Sequence, residues 1–346
     1  MTNTKDESVV KTTEKAKSEV KKTRKPSTKK VASEKKSLDA NSSKDFQAVN
    51  KNIEAKIDAF FEENKDSGIK KLISASKLME SGCHIGMSAK WWNPKMRPFI
   101  YPGKGGKNQI IDILKTIIFL DRAYNFLRDI TKEGGRILFV GTRGDYVKNL
   151  IKNECTRSKS FYINQRWLGG TLTNFKTISK SIDKLNNLIS LQMSDEIKRY
   201  SKKEQLDMSK EVEKMSKFLN GIRTMRGLPQ AIVVTDPIAE HNAVSEAKKL
   251  GIPVVAIANT NTNPDVIDFL IPANTTSIRT IFLIVTILND AICEALGEPL
   301  SIVGKKDEEI ILPEVAKKKF DQGFIAHKKF GRSFQKSNEE KPVEKK

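Results

Sequence analysis

From about residue 46 to residue 300 two kinds of hydrophobic pattern alternate along the chain. "RILFV" (136–140) and "FYI" (161–163) are short apolar runs, and "AIVVT" (231–235) and "PVVAIA" (253–258) have the β-branched enrichment of strands buried on both faces. Segments with apolar residues at helical spacing separate them, over 110–131, 146–154, 237–250 and 276–295. Strand then helix, repeated, predicts an α/β fold with a parallel sheet covered by helices on both sides.

One stretch breaks this rhythm. From Thr177 to Asn220 no strand pattern occurs. The apolar residues instead fall at helical spacing in a charged run, first Ile178, Ile182, Leu185, Leu188 and Ile189, then Leu206, Met208, Val212, Met215, Phe218 and Leu219. Two helices broken near "LQMSDE" and folded back antiparallel would bury both stripes against each other. The pattern therefore predicts a protruding helical hairpin over 176–226, inserted between the two parts of the α/β domain, 46–175 and 227–300.

Composition adds two tails. Residues 1–45 hold Lys, Ser, Thr and Glu with almost no large apolar side chains, and such a segment cannot bury enough surface to offset the entropy of ordering. It reads as a disordered basic arm. A similar basic extension covers 301–346 and is expected to be largely disordered, although Ile310, Ile311, Phe320 and Phe324 suggest a short piece that docks.

The formal net charge of +20 over 346 residues changes the functional picture. An excess of this size repels itself unless a polyanion offsets it, which points to nucleic acid or an anionic membrane surface. No lipidation motif or basic amphipathic helix with aromatic anchors favours the membrane. The longest apolar run, Ile281 to Leu288, stops at Asn289 and Asp290, well short of the ~20 residues a membrane span needs. The N-terminus has no apolar core for a secretory signal, so an intracellular protein is expected. Cys83, Cys155 and Cys293 are far apart, with no CxxC or Cys/His spacing, so neither a disulfide framework nor a metal site is indicated.

Candidate chemistry is sparse. "VGTRGDY" (140–146) sets glycines between a strand and a helix, where a doubly wound sheet can offer N–H groups to a phosphate. It lacks both GxGxxG and the Gly-Lys-Ser/Thr ending of a P-loop, so a tight turn is the simpler reading. Asp236 followed by Pro237 reads as a helix cap and the first helical residue. With Glu240 and His241 it offers no nucleophile, and no catalytic set is assigned. His84 reads as a packed or hydrogen-bonded histidine.

"WWNPKMRPFIYPGKGGK" (91–107) mixes aromatics, prolines and four cations, the composition of an extended loop that grips RNA through phosphates and stacking, with one tryptophan buried and one partly exposed. In "NQRWLGGTLTNF" (164–175), Arg166 suits a phosphate or carboxylate and Trp167 is a large buried group in need of an N–H partner. Gly169 and Gly170 allow a turn or a close approach, and Thr171, Thr173 or Asn174 can cap the following helix. A structural junction and an anion contact are both open at this point.

Taken together, "SGCHIGMSAKWWNPKMRPFIYPGKGGKNQ", "ILFVGTRGDYVKNLI", "FYINQRWLGGTLTNFKTI" and "LPQAIVVTDPIAEHNAVSEAKKLGIPVVAIANTNTNPD" resemble, in order and spacing, the bacterial small-subunit ribosomal protein S2 family, over about residues 72–298. The resemblance implies a flavodoxin-like α/β domain with a parallel sheet and an inserted coiled-coil helical hairpin. It implies a structural, non-enzymatic component of the small (30S) subunit of the cytoplasmic ribosome, bound to 16S rRNA between head and body. Neighbouring ribosomal proteins, an S1-type protein among them, and messenger RNA would lie nearby, with no cofactor, no metal, no membrane and no homo-oligomer. The chain departs from the usual family pattern at Met87, where a histidine is common, and at Asn259, Thr275 and Thr276, where aspartates are common.

On this reading the candidate rRNA contacts are Lys95, Arg97, Lys104 and Lys107, then Lys176, Lys180 and Lys184 on the hairpin, with Arg166 beside them. Trp167, Gly169, Gly170 and Asn174 form the hairpin junction. The rival readings are a nucleotide- or sugar-phosphate-binding enzyme using the "GTRGD" turn and an extra-ribosomal RNA-binding regulator.

Overall fold

The computed structural model describes residues 72–102 and 107–313. The expected N-terminal arm, residues 46–71 of the first part of the α/β domain, Lys104, and the C-terminal extension from residue 314 on, with Phe320 and Phe324, lie outside the described residues. Five strands form one parallel sheet: β3 (Ile137–Val140), β4 (Phe161–Ile163), β5 (Ala231–Val234), β6 (Val254–Ala258) and β7 (Phe269–Pro272), in spatial order β4-β3-β5-β6-β7. Counted from β3 this is the order 2-1-3-4-5, consistent with a flavodoxin-like fold. The register runs Leu138 beside Phe161 on one side and Ile232 on the other, then Val233 beside Val255 and Ala256 beside Leu270. Every residue of β3, β5 and β6 is buried, as their unbroken apolar runs require.

Alternate residues of these strands point to opposite faces. Leu138, Val140, Ile232, Val234, Val254 and Ala256 share one core with α6 (His241–Lys249), Trp167 and the lower parts of α4 (Phe175–Met193) and α5 (Lys202–Leu219). The other face carries α2 (Ile113–Lys132), α3 (Asp145–Ser158) and α7 (Ile278–Leu296), with α7 packed against both α2 and α3, and the short α1 (Ala75–Glu80) against α2. Phe126 of α2 stacks on Phe269 of β7 with ring centroids 3.9 Å apart. The Thr116 hydroxyl donates to the Pro272 carbonyl at 2.6 Å. The run Ile281 to Leu288 is buried within α7 except for the half-buried Phe282, and no helix among the described residues is long and apolar enough to cross a membrane.

Helix ends are set by polar caps. Asp112 and Ser277 accept from backbone N–H groups at the starts of α2 and α7, and Ser201 with Glu204 forms a reciprocal capping box on α5. At the far end of α7, Gly297 takes a φ of 73°, the left-handed conformation glycine accepts without strain. Between α4 and α5 the chain makes a 3-10 turn, Asp195–Arg199, at the break the sequence predicts. Lys184 pairs with Glu211 at 2.5 Å, and the Gln192 amide donates to Ser209 at 3.3 Å, so the two helices touch along part of their length.

Several details differ from expectation. Strand β7 was not foreseen, because "FLI" is a short run ending in a proline, tolerated here since β7 is an edge strand paired only with β6. A small antiparallel pair, β1 (Ile85–Ser88) with β2 (Asn108–Ile110), also escapes the pattern. Between them the proline-rich segment is not extended: Pro94–Phe99 is a 3-10 helix started by Asn93, whose Oδ1 accepts from the Lys95 N–H at 3.0 Å, and anchored by the buried Met96. Neither tryptophan of this segment is buried, since Trp91 is 72% exposed and Trp92 half-buried.

Helix α6 starts at His241, not at Pro237, so Asp236 and Pro237 are not its cap and first residue. They form a preceding turn in which the Glu240 N–H donates to the Asp236 carbonyl at 3.0 Å. Past α7 the first part of the C-terminal extension packs. Ile302 and Ile310 are buried, and the Asp290 carboxylate accepts from the N–H groups of Ser301, Ile302 and Val303 at 2.7–3.0 Å. Arg157 of α3 reaches the same carboxylate at 2.7 Å, which ties α3, α7 and the strap together.

Candidate nucleic-acid interface

The stretch from Asn164 to Phe175 leaves β4 and enters α4, and one buried carboxylate organises it. Glu246 of α6 accepts at Oε1 from the Trp167 indole N–H at 3.0 Å and the Gly170 N–H at 2.8 Å. Its Oε2 accepts from the N–H groups of Leu172 and Thr173 at 3.0 and 3.2 Å and from the Thr173 hydroxyl at 3.2 Å. Burial opposes ionisation of Glu246, but the bonds from Trp167, Gly170, Thr173 and Leu172 outweigh it and hold the carboxyl below its ordinary value. Gly170 has a φ of 82°, the backbone state that turns its N–H inward. Asn174 does occupy the N-cap position of α4, yet its Oδ1 accepts from the Thr177 hydroxyl at 2.9 Å and makes no side-chain bond to the helix backbone.

Glu246 escaped the sequence reading. The available signal is its place on the α6 face with Ala243, Val244 and Ala247, all buried, where an acidic residue must find donors. Trp167, Leu172 and the half-buried Phe175 pack against the same core.

The crevice where the strand order reverses, beyond the ends of β3 and β5, is where an open α/β sheet binds ligands. Here the chain fills it with its own carboxylates. The Thr142 N–H and hydroxyl both donate to Glu240 Oε1, at 2.8 and 2.5 Å, and Arg143 pairs with Asp236 at 2.6 Å. Glu240 and Asp236 are 3% and 5% exposed. Gly141 is required for close packing, because a Cβ there would stand 2.4 Å from Ile151 Cδ1 and 2.6 Å from Thr235 Oγ1. The N–H group a phosphate would need at this turn is already bonded to an anion, which argues against a nucleotide cradle.

The predicted cations lie on separate surfaces. Lys95 and Arg97 stand exposed on the 3-10 turn near Trp91, with Lys95 paired to Asp265. Lys107 is exposed just before β2, and Tyr101 is 50% exposed close by in sequence. The Asn93 N–H donates to the Thr260 carbonyl at 2.8 Å, tying this segment to the end of β6. Lys176, Lys180 and Lys184 recur every fourth residue along α4, with Lys184 committed to Glu211.

Arg166 lies elsewhere, on the rim of a hollow of about 880 Å³ that also takes in Trp167, Gly169, Lys148, Lys217 and Lys249. A second hollow of about 640 Å³ shares Gln165, Lys217 and Phe218 with the first and adds Lys152, Lys210 and Lys214. These lysines come from α3, α5 and α6, far apart in sequence, so no motif announces them. All three cysteines are free and buried, and burial pushes the Cys83 thiol up to about 12.

The family model described as "Ribosomal protein S2" matches residues 78–295, which span the whole sheet and helices α2 to α7 up to Ala295. The chain belongs to the ribosomal protein S2 family. Its relatives include proteins named small ribosomal subunit protein uS2 from three organisms. That of Malacoplasma penetrans is 54% identical over 255 residues, covering 72% of this chain and 69% of the relative. That of Ureaplasma urealyticum serovar 10 is 49% identical over 287 residues, 80% of this chain and 81% of the relative. The Mycoplasma genitalium protein is 47% identical over 239 residues, 69% of this chain and 84% of the relative. In this S2-family chain the Glu246 junction, the filled switch point and the two basic hollows all fall within the matched residues.

Proposed function

We propose that this chain holds its place in the small ribosomal subunit by neutralising rRNA phosphates with exposed lysines and arginines while its α/β body keeps those cations in fixed positions. Membership of the ribosomal protein S2 family carries the reading. The chain is a structural, non-enzymatic component of the small ribosomal subunit and serves translation in the cytoplasm. Lysine and arginine contacts displace condensed counterions, so binding weakens steeply with salt.

In this reading Arg97, Lys107, Arg166, Lys176 and Lys180 reach phosphates directly, and Lys95 and Lys184 exchange Asp265 and Glu211 for phosphate on binding. Trp91 and Tyr101 supply rings for unpaired bases. Helices α4 and α5 form an antiparallel hairpin over 176–226 that projects from the body made of 46–175 and 227–300, held at its root by Trp167, Gly169, Gly170 and Asn174. Contacts with 16S rRNA between head and body, with an S1-type protein and near messenger RNA belong to the same reading. The filled switch point supports it over a nucleotide-binding enzyme.

Sedimentation of a lysate at moderate salt tests it. The protein should travel with small subunits and 30S-containing ribosomes; a protein left at the top of the gradient would refute the reading.

A further inference from the structure

The two hollows beside Arg166 have a common wall, Gln165, Lys217 and Phe218, and so form one groove along the root of α5. Lys210, Lys214 and Lys217 recur at i, i+4 and i+7, which sets them in one stripe about 10 Å long on the helix. Across from them stand Lys148 and Lys152 on α3 and Lys249 at the end of α6.

The carboxylates of the groove do not offset these charges. Glu246 is consumed by five donors of the 167–173 loop and Glu240 by Thr142, which leaves only the exposed Glu213 among the carboxylates that line the groove. Lys148 and Lys210 have partners on their own helices, Asp145 at 3.1 Å and Asp207 at 3.7 Å. Among the described residues Lys152, Arg166, Lys214 and Lys249 form no ion pair, unlike Lys95 and Lys184 on the other basic surfaces. A concave, uncompensated positive surface with one aromatic edge at Phe218 fits a polyanion backbone running lengthwise.

We propose that this groove is a docking channel for the sugar–phosphate backbone of an RNA strand, with Lys152, Lys214 and Lys249 as phosphate contacts and Arg166 between them. The proposal rests on the rRNA-binding reading and names a second surface for it, on the α3, α5 and α6 side of the molecule. Because the groove walls join the sheet to the root of α4 and α5, a strand seated in it bridges the body and the two helices.

The test uses the full chain and transcribed small-subunit rRNA. Binding is measured between 50 mM and 300 mM salt for the wild type, for Lys152→Gln/Lys214→Gln/Lys249→Gln, and for Arg97→Gln/Lys107→Gln. The triple variant should bind at least about tenfold more weakly near 0.1 M salt, and its slope of log affinity against log salt should fall by about 2 to 3. Arginine at the same three positions should restore both, which separates lost charge from lost folding.

Unchanged affinity and slope in the triple variant, with weaker binding by the Arg97/Lys107 variant, would overturn the groove and leave the rRNA-binding reading standing. Normal binding to the transcript but loss from assembled subunits would assign the groove to an acidic protein segment and also overturn it. A wild-type chain that does not bind the transcript would sink both.

Discussion

Replacing Glu246 by glutamine removes one charge and keeps nearly the same shape. In the native chain five donors converge on the carboxylate, two on Oε1 and three on Oε2. A glutamine can keep its oxygen toward Trp167 and Gly170, but its amide then points N–H groups at the N–H groups of Leu172 and Thr173. Leu172 is 1% exposed, so at least its N–H is left buried without an acceptor.

A buried donor without an acceptor costs ~1–3 kcal/mol, and exchanging charge-assisted bonds for neutral ones at Trp167 and Gly170 adds about 1 kcal/mol. The expected total is about 3 kcal/mol, or a fall in melting temperature of roughly 6–12 °C for a domain of this size. Thermal unfolding followed by circular dichroism at pH 7 measures it directly.

The pH dependence gives an independent check. The folded-state carboxyl of Glu246 lies below its ordinary value. Its contribution is therefore complete above the unfolded value near 4.3 and is lost as pH falls through the lower folded value. Wild type and Glu246→Gln should differ most at neutral pH and converge on acidification below about pH 4. A melting temperature within 2 °C of wild type at pH 7 would refute the claim that this carboxylate organises the junction.

Three further outcomes are expected. Trp167→Ala should cost ~3–5 kcal/mol, loosen the placement of α4 and reduce incorporation into small subunits; incorporation at wild-type level would remove its bracing role. Gly221→Ala should be strongly destabilising in urea unfolding, because the new Cβ would stand 2.1 Å from the Tyr162 carbonyl oxygen, so an unaltered midpoint would contradict that close approach. Trp91→Ala, at a side chain 72% exposed, should change stability by less than about 0.5 kcal/mol yet weaken rRNA binding severalfold in a filter assay, and undiminished binding would rule out stacking there.

The sheet was legible because β3, β5 and β6 are central or near-central strands whose every residue must be apolar, and because α2 and α7 are long enough for their periodicity to stand out. β7 and the β1–β2 pair were not, since "FLIP" ends in a proline and "IGMS" and "NQI" hold almost no apolar run, β1 being fixed instead by neighbours such as Thr260, whose hydroxyl accepts from the Met87 N–H at 3.0 Å. Asp236-Pro237 misled because a cap-like pair can equally start a turn one step ahead of the helix.

Trp167 and Gly170, two of the groups that bond to Glu246, announce themselves by residue type. Their organiser does not. Glu246 lies 79 residues from Trp167 in sequence, and only the folded chain brings them together. The same holds for the groove: Lys152, Lys214 and Lys249 are ordinary surface lysines until three helices bring them to the rim of one hollow.

The seating of α7 on α2 and α3 bears on how the chain comes to be folded during its own synthesis. The helices beneath it emerge first, and the faces of α2 and α3 that meet α7 find no cover until residues 278–296 arrive. A nascent chain that has produced β3 to β6 thus holds a half-dressed sheet, open to unwanted association throughout that interval. The Arg157–Asp290 bridge and the strap at 301–303 then act as a latch, closed only after α7 has been made. Translation arrested shortly before Ile278 should accordingly yield a chain that depends on chaperones, whereas arrest beyond Val303 should yield one that folds unaided.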